Sequence, residues 1–308
     1  MKLKIILVTL FFSITCLAFT CSGGEKNNDQ KLDKKAGKSA QSSKDETGAS
    51  IRDRKSGSLT PEEQLSALKK MADDGKPDAI YQLGLMYETG TDLVNQDLKK
   101  AAKLYAKATE KGSTMARNKL AVIYYLGLAG YKKNQLKAKE LFEISVNENS
   151  PDAMFMLGKM YLDGAEGIEQ DFEQGTKLMN AAAVSGNEFA MDELGVMYFN
   201  GTQILEKDRG KAFKWYHRAA RKGYAPAMVH LGSMYYYGTP PLDKDEKKGI
   251  EWVEKAFKKG DQAAYNLLVQ WGGGNENEKQ VSFELKKGGN INTDKKSNSP
   301  ENDQNKEK

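Results

Sequence analysis

Side chains able to do acid–base, nucleophilic or metal chemistry are scarce in this chain. Its 308 residues include two histidines, His217 and His230, and two cysteines, Cys16 and Cys21. A histidine works as a general base when a carboxylate orients its ring, and a metal ion needs several ligands at suitable spacing. No carboxylate pairs with either histidine at a spacing that suggests a triad or a metal site, so both read as surface histidines. No G-x-x-x-x-G-K-[ST] stretch or strand-linked G-x-G-x-x-G occurs. The expectation is therefore no catalytic residue, no metal and no cofactor.

What the chain has in abundance is small and aromatic residues at fixed offsets. Ala227, Leu231, Gly232, Tyr235, Gly238, Asp245, Ala256 and Gly260 recur 37 residues earlier as Ala190, Leu194, Gly195, Tyr198, Gly201, Asp208, Ala219 and Gly223. Further steps land on Ala153, Leu157, Gly158 and Tyr161, on Ala116, Leu120 and Tyr124, and on Ala79, Leu83, Gly84 and Tyr87. Five copies without an insertion make a long-period repeat, which means a solenoid or array.

Each copy reads as two helices. Ala190, Leu194, Met197, Tyr198 and Gly201 share one face of the first. A loop follows, ending in Asp97, Asn134, Asp171, Asp208 or Asp245, each suited to cap the second helix. An apolar residue three positions before the cap (Val94, Tyr131, Ile168, Leu205, Leu242) is expected to anchor the loop. Glycine inside a helix costs about 1 kcal/mol against alanine. Gly84, Gly158, Gly195 and Gly232 are therefore expected at close helix–helix contacts, with Ala121 in the second copy.

The pattern A-x-x-x-L-G-x-x-Y…G…D-x-x-K-A-x-x-W/Y-Y-x-x-A-A-x-x-G resembles the Sel1-like repeat family, relatives of the tetratricopeptide repeats, over residues 76 to 260. The resemblance implies an all-α fold, a right-handed α/α superhelical solenoid of about five 37-residue repeats, and a role in assembling protein complexes. A cysteine-stapled subclass is not matched, because the repeats hold no cysteine. Half-repeats are expected as caps: Thr60-Pro61-Glu62-Glu63 begins a helix that matches a second helix alone, and Gln262 to Trp271 matches a first helix alone.

Residues 1–20 read as an export signal, with Lys2 and Lys4 ahead of the apolar run Ile5 to Phe12. The sequence from Leu17 through Cys21 to Gly24 resembles a bacterial lipobox, with Thr20 where a smaller residue is usual. Cys21 is the expected lipidation site, and the alternative is a signal cut elsewhere. Residues 21–59 are rich in charge, Ser and Gly and read as a disordered linker. Residues 60–271 form the solenoid, and 272–308 a disordered polar tail whose one candidate docking motif is Val281 to Leu285.

The formal charge is +5. The leader contributes two of these charges and the linker three, and basic and acidic residues balance in the tail, so residues 60–274 are close to neutral. A neutral array lacks the footprint that phosphate binding requires, which argues against nucleic acid. Away from the packing face, each first helix presents three columns: Tyr81, Asn118, Phe155, Asp192, Val229; then Leu85, Val122, Lys159, Val196, Ser233; then Glu88, Tyr125, Leu162, Phe199, Tyr236. Two readings stand for these columns, packing against neighbouring copies or contact with a partner.

Tyr81, Tyr125, Phe155, Phe199 and Tyr236 are the candidate partner-binding residues. The expected function is a lipid-anchored, non-enzymatic scaffold that binds a protein or peptide partner at the bacterial envelope. Ser22 after Cys21 points to the outer rather than the inner membrane, on the periplasmic or the exposed side. The alternatives are an envelope enzyme or cell-wall factor with a site assembled across repeats, and a tether.

Overall fold

A computed structural model describes residues 59–272; the expected export signal, Cys21, and most of the expected linker and tail lie outside the described residues. Twelve α-helices follow one another in that span. They are α1 Pro61–Asp73, α2 Pro77–Thr89, α3 Leu98–Glu110, α4 Thr114–Leu126, α5 Gln135–Asn147, α6 Pro151–Asp163, α7 Phe172–Val184, α8 Glu188–Asn200, α9 Arg209–Arg221, α10 Ala225–Tyr237, α11 Glu246–Lys258 and α12 Gln262–Gln270. The fold is an all-α repeat array. It falls into two compact units, one ending at Ser113 and holding α1–α3, the other beginning at Thr114 and holding α4–α12.

The helices begin where the sequence supplies caps. Asp97, Asn134, Asp171, Asp208 and Asp245 each accept a hydrogen bond from the backbone N–H three residues on. This satisfies one of the amides that a helix start leaves open. The N–H of each cap residue in turn donates to the carbonyl of the repeat tyrosine, Tyr87, Tyr124, Tyr161, Tyr198 or Tyr235, at 2.8 Å. The loop is thus closed at both ends, and Val94 and Ile168 are buried beneath it. Thr60 and Glu63 form a reciprocal capping box at the start of α1. Second helices end where the chain turns left-handed, at Gly75, Gly112, Gly186, Gly223 and Gly260; Asn149 takes that role after α5, at φ 60°.

The glycines inside first helices mark close approach. A methyl on Gly195 would lie 2.5 Å from the Tyr216 ring, and one on Gly84 2.7 Å from the Tyr105 ring. At Gly232 the obstacle is Val253 at 2.6 Å, and at Gly158 it is the backbone of α7 at 3.2 Å. Large buried residues of the second helices, Tyr105, Phe142, Met179, Tyr216 and Val253, fill the space that these small residues leave. The core is therefore a row of small-against-large contacts within each repeat.

Candidate functional site

The first column is core, which corrects the expectation that its aromatics are free for a partner. Tyr81 and Phe155 are each only 5% exposed. Tyr81 packs on Tyr105 at 5.8 Å within the first unit, and Phe155 packs on Phe189 of α8 at 5.8 Å within the second. Val229 and Asp192 of the same column are also buried. A first helix in a stack is covered on its next-repeat side as well as on its partner side.

The third column is half-buried and leans on the second helix of its own repeat. Tyr236 approaches Gly249 so closely that a methyl there would sit 2.7 Å from its Cβ, and its ring stacks on Trp271 at 3.8 Å and 4°. Phe199 has the Arg209 guanidinium 5.6 Å from its ring centre. Tyr125 flanks the buried cluster around Phe142 and Leu157. The second column, Val122, Lys159, Val196 and Ser233 in the second unit, is also half-buried and lies on the accessible face of the first helices.

On that face the second unit carries a polar chain that crosses three first helices. Lys159 Nζ of α6 lies 3.4 Å from Glu193 Oε1 of α8 and 3.8 Å from Asp163. One residue before Glu193, Asp192 Oδ1 lies 2.8 Å from His230 Nδ1 of α10. His230 is thus a part-exposed histidine with a carboxylate partner, which the spacing of residues within one copy does not suggest. The Tyr216 ring of α9 packs on the imidazole with centroids 4.8 Å apart. The side chain of Asp192 is 10% exposed and that of His230 39%, so the carboxylate orients the ring from beneath while part of the imidazole meets solvent.

The electrostatics follow from the neighbours. Burial opposes a charge on His230, but the Asp192 hydrogen bond and the charges of Asp192, Glu193 and Asp261 outweigh it and raise its pKa. Lys159 is likewise opposed by burial and raised by Glu193 and Asp163. Burial, then Asp192 and Glu193, push the Tyr216 phenol up. His217 behaves in the opposite way: burial, Arg221 and Lys248 lower its pKa. Among the described residues no three His, Cys, Asp or Glu side chains converge to hold a metal ion, and no helix is long and apolar enough to cross a membrane.

Asp192 and His230 are not recognisable as a pair within one copy because they are 38 residues apart, one period plus one. Lys159 and Glu193 are 34 apart. In a stacked array such separations place side chains opposite one another on consecutive first helices. Matching charges at one period plus or minus a few residues is the signal that finds them.

The repeat itself decides the family. The Sel1 repeat matches residues 77–113, 114–150, 151–187, 189–224 and 225–261, more than half of the chain. The chain belongs to the Sel1 repeat family. Among solved structures this Sel1 array is similar to a Sel1 repeat protein from Oxalobacter formigenes, at 28% identity and a TM-score of 0.59, over 68% of this chain and 59% of that one. It is also similar to c5321, described as a protective antigen of uropathogenic Escherichia coli with an SLR fold, at 27% identity and a TM-score of 0.53, over 73% and 48%. The immunity protein Pa5087 of Pseudomonas aeruginosa shares the fold at 22% identity and a TM-score of 0.52, over 68% and 80%. The Sel1 array thus spans 59% and 48% of the length of the first two structures. No curated protein matches it.

Proposed function

We propose that this Sel1 array is a non-catalytic scaffold that binds a protein or peptide partner along the accessible face of its first helices. Sel1 repeats generally mediate protein–protein interaction. The observation that carries the reading is the polar chain Lys159–Glu193 and Asp192–His230, set among the half-buried apolar residues Val122, Met156 and Val196. Such a surface offers apolar area for affinity and fixed charges for register. Tyr125 and Phe199 border it and are the aromatic anchors of this reading. Tyr236 contributes less, because its ring is engaged with Trp271.

The test is capture of a partner from envelope extract by the full chain, with binding measured on the identified protein. Tyr125→Ser with Phe199→Ser is expected to retain helical content and to weaken binding at least tenfold, about 1.4 kcal/mol. Unchanged binding by the folded variant overturns the face. The oriented Asp192–His230 pair is the one feature that favours an enzyme instead, and release of sugar or peptide products in the same extract supports that reading.

The envelope location rests on the lipobox-like run ending at Cys21. Two acyl chains suffice for stable membrane binding where one is marginal. Cys21→Ala is therefore expected to move the protein from the detergent phase to the aqueous phase. A variant that still partitions into detergent overturns lipidation at Cys21.

A further inference from the structure

A second surface lies on the fourth repeat, away from the accessible face of the first helices. Helix α9, Arg209–Arg221, carries five Lys/Arg in 13 residues and no acidic one. Its counterparts α3, α5, α7 and α11 each contain at least one glutamate. Lys211, Lys214, Arg218 and Arg221 recur at i, i+3, i+7 and i+10, which is one helical face, and all four are exposed. The opposite face, Ala212, Tyr216, Ala219 and Ala220, is buried in the array. Lys211 is partly offset by its own cap, with Asp208 at 3.4 Å.

The basic stripe is not featureless. Phe213, Trp215 and His217 floor a shallow, mainly apolar hollow between Lys211, Lys214 and Arg218. The Arg218 guanidinium stands 4.6 Å over the Trp215 ring, and His217 lies 5.7 Å from the Phe213 ring. His217 senses the field of this region, since Arg221 and Lys248 add to burial in disfavouring its charge. Beyond α9 the field fades, because α11 mixes Glu246 and Glu251 with its lysines.

We propose that the α9 face docks an acidic segment of a partner protein, with carboxylates on the Lys214–Arg218–Arg221 stripe and one apolar side chain in the Phe213–Trp215 hollow. Charge complementarity selects an anionic partner, and a notch with an apolar floor selects one that can offer an apolar side chain. A bilayer surface has nothing to place in such a notch. No large apolar residue projects from this face to enter a membrane, because the apolar side of α9 is already buried. Nucleic acid would need a longer basic track than one helix supplies.

The test titrates the full chain with a labelled short peptide that carries a central leucine flanked on both sides by glutamates. Controls are the same peptide with serine at the centre, a single-stranded oligonucleotide, and vesicles containing anionic lipid. Lys214→Glu, Arg218→Glu and Arg221→Glu together are expected to weaken peptide binding at least tenfold at an unchanged melting temperature. Serine at the centre is expected to weaken it several-fold, and added salt progressively. If loss of the Arg218–Trp215 contact destabilises the triple variant, Lys214→Glu with Arg221→Glu takes its place. Absence of peptide binding, binding that survives charge reversal, or tighter binding to oligonucleotide or vesicles overturns the proposal.

Discussion

Gly195→Val is expected to lower the melting temperature of this Sel1 array by about 2–12 °C, from an overpacking cost of about 1–3 kcal/mol in a domain of this size. The reason is that any Cβ at this position would stand 2.5 Å from the Tyr216 ring. That ring is 3% exposed and sits between α8 and α10, so it has no solvent to swing into. Intrinsic propensity acts in the other direction, since valine is a better helix former than glycine. A loss of stability therefore isolates the steric contact. Gly195→Ala adds only the methyl and is expected to cost less. Combining Gly195→Val with Tyr216→Ala should recover part of the loss by removing the ring. A melting temperature equal to wild type would eliminate close approach as the reason for glycine in the first helices.

Local chemistry was the legible part of this fold. The five caps, the capping box at Thr60 and the glycine contacts each depend on residues a few positions apart, or on one side chain being absent. Helix periodicity set the third column apart from the packing face, but it does not show that these residues lean, half-buried, on the second helix of their own repeat. What one copy does not reveal is which neighbour covers which side. Phe155 looks free on a wheel of α6 alone, yet Phe189 of the next repeat packs on it. Asp192 and His230 look solitary in their own helices for the same reason. The accessible face is defined by the stack, so its charges pair at separations close to one period.

That pairing gives the stack a chemical handle at a site where hydrophobic packing alone would be indifferent to pH. Removing Asp192 is expected to uncouple His230 from the stability of the array. His230 has its folded pKa raised above the ordinary value, so its ionised form is favoured in the folded state. The stabilisation is fully present below the unfolded value of about 6.5 and is lost as pH rises through the higher folded one. The groups that face the imidazole are Asp192 and Glu193 from α8, Tyr216 from α9 and Asp261 at the cap of α12. Hydrogen bonds to charged groups contribute about 1.5–3 kcal/mol. His230 is 39% exposed, and solvent screening brings the expected coupling down to about 1 kcal/mol. A double-mutant cycle of Asp192→Asn and His230→Gln should show that coupling near pH 5.5 and little of it near pH 9, with Glu193 and Asp261 cancelling because they are present in every variant. Proton NMR of the imidazole supplies the independent readout: Asp192→Asn should lower the His230 titration midpoint. A coupling energy that does not change with pH, or a midpoint that Asp192→Asn leaves in place, would refute the assignment of this pair as the charged link between the fourth and fifth repeats.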